Sequence, residues 1–182
     1  MTLDLSKTAC FTGHRPNVFL TQDSFKDLVH VQYKIKLLLT NAILSHISFG
    51  VVNFISGGAV GVDQWAAECV LDLKTTHAEL KLIIAKPFPS QHIRWPIHVQ
   101  NEFHELVNKA DEVINVSDDP YAPWKMHVRN EYMVNHSEYL IAVKYTDIVS
   151  GGTASCLQYA IRKDRKICVI DPREESISYS YR

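Results

Sequence analysis

The 182-residue chain carries 19 Lys and Arg against 20 Asp and Glu, with 46% hydrophobic and 21% charged residues. That is the balance of an ordinary globular protein, and a core of this size buries roughly 70% of the unfolded surface without disulfides or a structural metal. A formal charge of −1 and a pI near 6.7 give no global field for a polyanion, which excludes a DNA-coating role and disfavours nucleic acid as a partner.

Cys10, Cys69, Cys156 and Cys168 are far apart, lie in apolar segments and form no CxxC pair. They read as buried thiols of a reducing cytoplasm, and no clustered metal ligands are present, so no metal is expected. Residues Met1 to Lys7 include Asp4 and lack the basic-then-apolar order of an export signal, which again predicts a cytoplasmic protein. No Asp, Glu, Lys or Arg occurs between Lys36 and Asp63. Asn41, Ser45, His46, Ser48, Asn53, Ser56 and the glycines in that stretch are too costly for hydrocarbon, so no membrane partner is expected.

In chain order, the apolar runs predict strands at Thr8–Thr12, Val51–Ser56, Leu80–Ala85, Glu112–Val116, Tyr139–Val143 and Lys166–Ile170. Amphipathic segments between them predict helices at about Phe25–Ser48, Val62–Leu73, His98–Ala110, Met126–His136 and Thr153–Lys163. Strand and helix alternate throughout, which predicts a Rossmann-like three-layer α/β/α sandwich around a mostly parallel sheet of about six strands. Residues 1–172 read as one domain and residues 173–182 as a loosely attached C-terminal tail.

Right-handed crossovers place every strand-to-helix loop on one edge of such a sheet, where ligands of open α/β folds bind. The unusual residues fall in those loops. Thr12, Gly13, His14 and Arg15 precede Pro16, and Arg15 can clamp a phosphate or carboxylate in bidentate fashion. Ser56, Gly57, Gly58 and Gly61 precede Asp63 and Gln64 at the start of a helix, where backbone N–H groups favour an anion. Gly151, Gly152 and Thr153 repeat that arrangement, with Thr153 able to cap the last helix. Phe88 and Trp95 are candidates to stack on a base, with Gln91 as a polar anchor, and Arg129 and Asn130 bring a cation and an amide toward the same edge. Each also has a plain structural reading: tight turns for the glycines, a helix cap for Asp63, core packing for the aromatics, an internal salt bridge for Arg129.

The ordered set Thr-Gly-His-Arg-Pro at 12–16, Gly-Val-Asp-Gln-Trp-Ala-Ala-Glu at 61–68, Pro-Phe with Gln and Trp at 87–95, Arg-Asn-Glu-Tyr-Met-Val-Asn at 129–135, Leu-Ile-Ala-Val at 140–143 and Gly-Gly-Thr at 151–153 resembles the YpsA-like branch of the SLOG superfamily. The resemblance covers about residues 8–171. It implies a Rossmann-like fold that binds a nucleotide or nucleotide derivative, ADP-ribose-like ligands included, in a bacterium or bacteriophage. Members of the wider superfamily include phosphoribohydrolases that cleave the N-glycosidic bond of nucleoside monophosphates, the DNA-processing protein DprA and nucleotide sensors of antiphage defence.

The sequence departs from the phosphoribohydrolases, whose second glycine motif ends in a catalytic Glu; here Cys156 stands in that place. Cleavage would then need Asp63 or Glu68 as the carboxylate and His14 as an acid. Within the closer branch, Asn135 and Glu138 stand where Asp is common, and Lys144-Tyr145-Thr146-Asp147 replaces a usual Trp-Asp-Gly. The leading expectation is a ligand sensor or regulatory binding module. The alternatives are a nucleotide N-glycosidic hydrolase or transferase and a DprA-like single-stranded DNA binder. A homodimer and a separate protein partner remain open.

Overall fold

In a computed structural model, residues 3–22 and 27–181 are described. Seven strands form one sheet in the order β4-β3-β2-β1-β5-β6-β7: β1 (Thr8–Gly13), β2 (Asn53–Ser56), β3 (Lys81–Lys86), β4 (Glu112–Asn115), β5 (Tyr139–Val143), β6 (Lys166–Asp171) and β7 (Ser176–Tyr179). The first six run parallel, and β7 pairs antiparallel with β6. The helices are α1 (Pro16–Gln22), α2 (Leu28–Ser48), α3 (Val62–Leu73), α4 (Ile97–Lys109), α5 (Pro123–Asn135) and α6 (Gly152–Arg162).

The period-two alternation of side chains divides the core between the two faces of the sheet. Ala9 and Phe11 of β1 face one side with Ile35 and Leu39 of α2, Ala66 and Val70 of α3 and Phe103 of α4. Cys10 faces the other with Met133 and Val134 of α5 and Cys156 and Ala160 of α6. All five residues of β5 are buried, as a central strand covered on both faces requires, whereas β4 alternates between half-buried and exposed at one edge of the sheet. The four cysteines are buried free thiols, and burial pushes Cys156 up to about 11. No helix among the described residues is long and apolar enough to cross a membrane.

The expected three-layer architecture is present with one more strand than anticipated. The additional strand, β7, lies in the segment read as a loose tail. Ser176↔Asp171 and Tyr179↔Cys168 mark the ends of its register against β6. Beyond it, Tyr181 packs on Tyr139, Phe49 and His46. The first helix also differs from its predicted form: Pro16, with φ preset for a helical first turn, starts the short α1, and the long helix begins at Leu28. Phe25, the expected start, lies outside the described residues. Proline likewise begins α5 at Pro123, a turn before the anticipated Met126.

The His46 imidazole, fully buried, is satisfied at both ends. Its Nδ1 lies 2.7 Å from the Ala42 carbonyl, to which it donates, so Nε2 is left to accept from the Tyr181 hydroxyl at 2.5 Å. Tyr181→Phe removes that donor and strands a buried acceptor, so we expect a loss of about 1–3 kcal/mol. An unchanged urea midpoint would show that the C-terminal residues do not brace the sheet.

Candidate functional site

Strand order places the site. The chain steps from β1 outward through β2, β3 and β4, then returns to β5 on the other side of β1. Between β1 and β5 the crossovers leave in opposite directions, and this switch point opens a crevice beyond the carboxyl ends of the strands. A cleft of about 720 Å³ occupies it, lined by the loops after β1, β2 and β5 and by one face of α5.

Ten of the anticipated residues line this cleft: Thr12, Gly13, His14, Arg15, Asp63, Arg129, Asn130, Gly151, Gly152 and Thr153. At its floor Asp63 and Arg129 form a buried ion pair, Nη1 to Oδ2 at 3.4 Å, with the Arg129 Nε donating to the Asn130 side-chain oxygen at 3.0 Å. Burial raises the Asp63 carboxyl above its ordinary value, opposed by Arg129, the Ala59 N–H and Arg15. Arg129 is thus salt-bridged inside the protein and also lines the cleft. Arg15 is exposed at the rim.

The second glycine loop is open to the cleft. α6 starts at Gly152 behind an N-cap, Gly151, that supplies no side-chain hydrogen bond. An added Cβ at Gly151 or Gly152 would meet nothing within 4 Å, and Gly151 holds φ at +92°, a conformation natural to glycine. Gly151 and Gly152 thus open on free space at the positive end of the helix dipole. Thr153, expected as the cap, sits inside the first turn instead.

The first glycine loop is closed on itself. The Ser56 hydroxyl donates to the Asp63 carbonyl at 2.6 Å and accepts from the Gly58 N–H at 3.1 Å. The Ala59 N–H donates to Asp63 Oδ2 at 3.4 Å, and the Gln64 amide donates to the Gly58 carbonyl at 3.2 Å. The N–H groups of Gly58, expected as an anion donor, and of Ala59 are engaged inside the loop. Gly57 leaves room for the ion pair: a Cβ there would lie 1.5 Å from Arg129 Nη1. Gly13 backs onto Val62, Gly58 onto Phe103 and Gly61 onto Pro16. Close packing is the observed role of these three.

Other expected contacts are elsewhere. Phe88 is buried against Tyr121, and Trp95 meets Phe103 edge to face at 5.3 Å. Gln91 is buried behind Gly58, and its Nε2 has no partner among the described residues. These loops follow β3 and β4, two and three strands from β1, and their residues do not line the cleft. They bond to each other instead, Ser90 donating to Asp119 and the Lys125 ammonium to the carbonyls of Asp118 and Pro120. Five loops were expected to converge, and three do. Glu68 faces α2, where it pairs with Lys36 at 3.1 Å.

Of the three catalytic candidates, Asp63 is tied to Arg129 and Glu68 is remote, leaving His14. Its buried Nε2 has no partner among the described residues. Burial, with Lys144 adding to it and Asp147 opposing, holds the imidazole below its ordinary value, so the ring is neutral near pH 7. The cleft also contains residues outside the anticipated set: Asn17, Val18, Ala59, Val60, Met126 and the segment Asp147 to Ser150. Met126 was legible as the neighbour of Arg129 and Asn130 at i+3 and i+4 on one helix face. Asp147 to Ser150 precede Gly151 in the same loop.

The chain matches the family model described as the YspA SLOG family, short name YpsA, over residues 9–174. The chain belongs to the YpsA SLOG family. Its similar relatives include the SPbeta prophage-derived protein YoqJ of Bacillus subtilis, 43% identical over 59% of this chain and 68% of that one. A UPF0398 protein of Halalkalibacterium halodurans is 32% identical over 72% of this chain and 70% of its own length. Among solved structures, DNA processing protein A of Helicobacter pylori, described for its single-stranded DNA binding, superposes with a TM-score of 0.59 at 19% identity. That match spans 96% of this chain and 73% of that one. DNA processing protein A of Streptococcus pneumoniae gives a TM-score of 0.52 at 13% identity, with the match spanning 49% of its chain. At these identities the likeness establishes the shared α/β fold.

Proposed function

We propose that this YpsA-family protein binds a phosphate-bearing nucleotide or nucleotide derivative in the switch-point cleft and acts as a ligand sensor or regulatory binding module. The uncapped N-terminus of α6 carries this reading, because it opens on free space in the same cleft as Arg15 and the unpartnered Nε2 of His14. A phosphate takes its hydrogen bonds from Gly152 and Thr153 and its countercharge from Arg15. His14 offers a neutral ring nitrogen to a hydroxyl or to a phosphate oxygen. The Arg129–Asp63 pair fixes the floor.

Binding is favoured over glycosidic cleavage, since an oxocarbenium-like transition state needs a carboxylate facing the sugar and of the two in the cleft Asp63 is held by Arg129 and the Ala59 N–H, and Asp147 by Arg173 at 3.4 Å. Aromatic stacking by Phe88 or Trp95 has no place in the binding mode.

Arg15→Ala provides the test. Loss of a charge-assisted phosphate contact should weaken binding by about 1.5–3 kcal/mol, roughly tenfold to a hundredfold. Because Arg15 is exposed, the thermal midpoint of the unliganded protein should stay the same. Calorimetric titration with a nucleotide that stabilises the native chain measures the first and a thermal scan without ligand the second, and undiminished affinity would remove Arg15 from the site.

A further inference from the structure

The connection between β5 and α6, residues 144–151, divides in two. Its second half, from Asp147 to Gly151, lines the cleft and leads into Gly152 and Thr153. Its first half is bound to the turn between β6 and β7. Asp171, the last residue of β6, accepts from the Thr146 N–H and hydroxyl, both at 2.8 Å, and from the Arg173 N–H at 3.0 Å. Burial alone would raise the Asp171 carboxyl, but these donors and the Glu174 N–H hold it below its ordinary value, so it is an anion at neutral pH. The Arg173 side chain reaches back to the loop itself. Its guanidinium carbon lies 4.3 Å from the centre of the Tyr145 ring, within cation–π range, and Nη1 meets Asp147 Oδ1 at 3.4 Å. Tyr145 is fully buried beside the His14 ring, their centroids 6.4 Å apart. The turn is anchored in its own right, because Glu175 binds Lys34 of α2 at 2.8 Å.

We propose that Arg173 is a positioning residue of the binding cleft: by clamping Tyr145 and Asp147 it fixes the β5–α6 loop, and with it the Gly152 and Thr153 N–H groups offered to a phosphate. The inference rests on the phosphate-binding reading of the cleft. Arg173 does not itself line the cleft, so it acts through the loop. It also neutralises Asp147, whose carboxylate in the cleft lining would otherwise oppose an anionic ligand. An ion pair whose side chains are 35% and 61% exposed adds little to global stability, so the effect of the clamp is local. Linkage between two sites is reciprocal. A ligand that favours the clamped loop therefore tightens the clamp in return, and the β6–β7 turn is where occupancy of the cleft is reported.

Amide hydrogen exchange of the full, unliganded chain reads the clamp. Arg173→Gln should speed exchange at residues 147–151 while the core strands and the thermal midpoint stay as in the native protein. Arg173→Lys keeps the charge without the planar fork and should recover part of the protection. Native exchange rates at 147–151 in Arg173→Gln would overturn the clamp. Calorimetric titration reads its consequence, with whichever of adenosine 5′-monophosphate, ADP-ribose and NAD binds the native chain most tightly. Arg173→Gln should weaken that binding roughly twofold to thirtyfold, the range for a residue that acts on a site without touching the ligand. Faster exchange with undiminished affinity would overturn the positioning role. The same ligand should slow exchange at residues 173–175 of the native chain, and unchanged rates there would overturn the reporting role of the turn. A native chain that binds none of the three would contradict the phosphate-binding reading of the cleft, and the exchange rates of the unliganded chain would still decide whether Arg173 holds the loop.

Discussion

Replacing Arg129 with Met should cost about 3–5 kcal/mol of stability, the usual consequence of removing one partner from a buried ion pair. The guanidinium is the only cation within salt-bridge distance of Asp63 among the described residues, and both side chains are more than nine-tenths buried. Without it, the Asp63 carboxylate keeps the Ala59 N–H at 3.4 Å and loses its countercharge. The carboxyl already sits above its ordinary value, because burial outweighs the groups that favour its charge. Removing Arg129 raises it further. A folded-state value above the unfolded one means that the folded protein holds its proton to higher pH, so the variant loses stability as pH rises through that folded value. Asp63→Asn placed in the Arg129→Met background should recover part of the loss. Urea unfolding of the two single variants and the double variant measures the coupling. Additive losses would show that the pair is not a unit.

The second large effect is expected at Gly57. A Cβ at this position would lie 1.5 Å from Arg129 Nη1 and 2.6 Å from Asp63 Oδ2, too close for either side chain to remain in place. Gly57→Ala should therefore expel the guanidinium and lose about as much as Arg129→Met, roughly 3 kcal/mol or more. The two changes should not add. Once Arg129 is shortened, the guanidinium contacts are gone and only the Asp63 Oδ2 contact at 2.6 Å remains, so Gly57→Ala should cost less in that background than in the native chain. A full additional loss in the double variant would mean that Gly57 acts through the backbone rather than through the pair. The same substitution at Gly152 meets nothing within 4 Å. The two glycine loops thus differ in what their missing side chains make room for: a protein ion pair at Gly57, and open cleft at Gly152.

That difference was not legible in the sequence, where both loops follow a strand and open a helix. What separates them is three-dimensional: Ser56, Asp63 and Gln64 turn back to bond the first loop, while among the described residues no side chain caps the second. The architecture was legible because buried parallel strands such as Tyr139–Val143 are continuous apolar runs and each helix shows one apolar face. β7 escaped notice because Ser176-Ile177-Ser178-Tyr179 is short and half polar, and only its pairing with β6 makes it a strand. The misplacement of Phe88 and Trp95 has another origin. Sequence places all the strand-to-helix loops on one edge, but which loops share a crevice depends on strand order, and the order puts β3 and β4 on the far side of β2. Arg129 and Asn130 come from a helix rather than a loop. They reach the cleft because α5 enters beside the switch point.

The most direct test of the account compares the thermal midpoint of the native chain with nucleoside 5′-phosphates, NAD and ADP-ribose, with the corresponding dephosphorylated nucleosides, and with a single-stranded oligonucleotide, followed by chromatography of each mixture. Ligand at a hundredfold above its dissociation constant stabilises the folded state by about 2.7 kcal/mol. We expect at least one phosphate-bearing ligand to raise the midpoint and to be recovered intact, while its nucleoside does nothing. Equal shifts with the nucleoside, release of free base, or a shift with the oligonucleotide alone would contradict a phosphate-anchored nucleotide sensor.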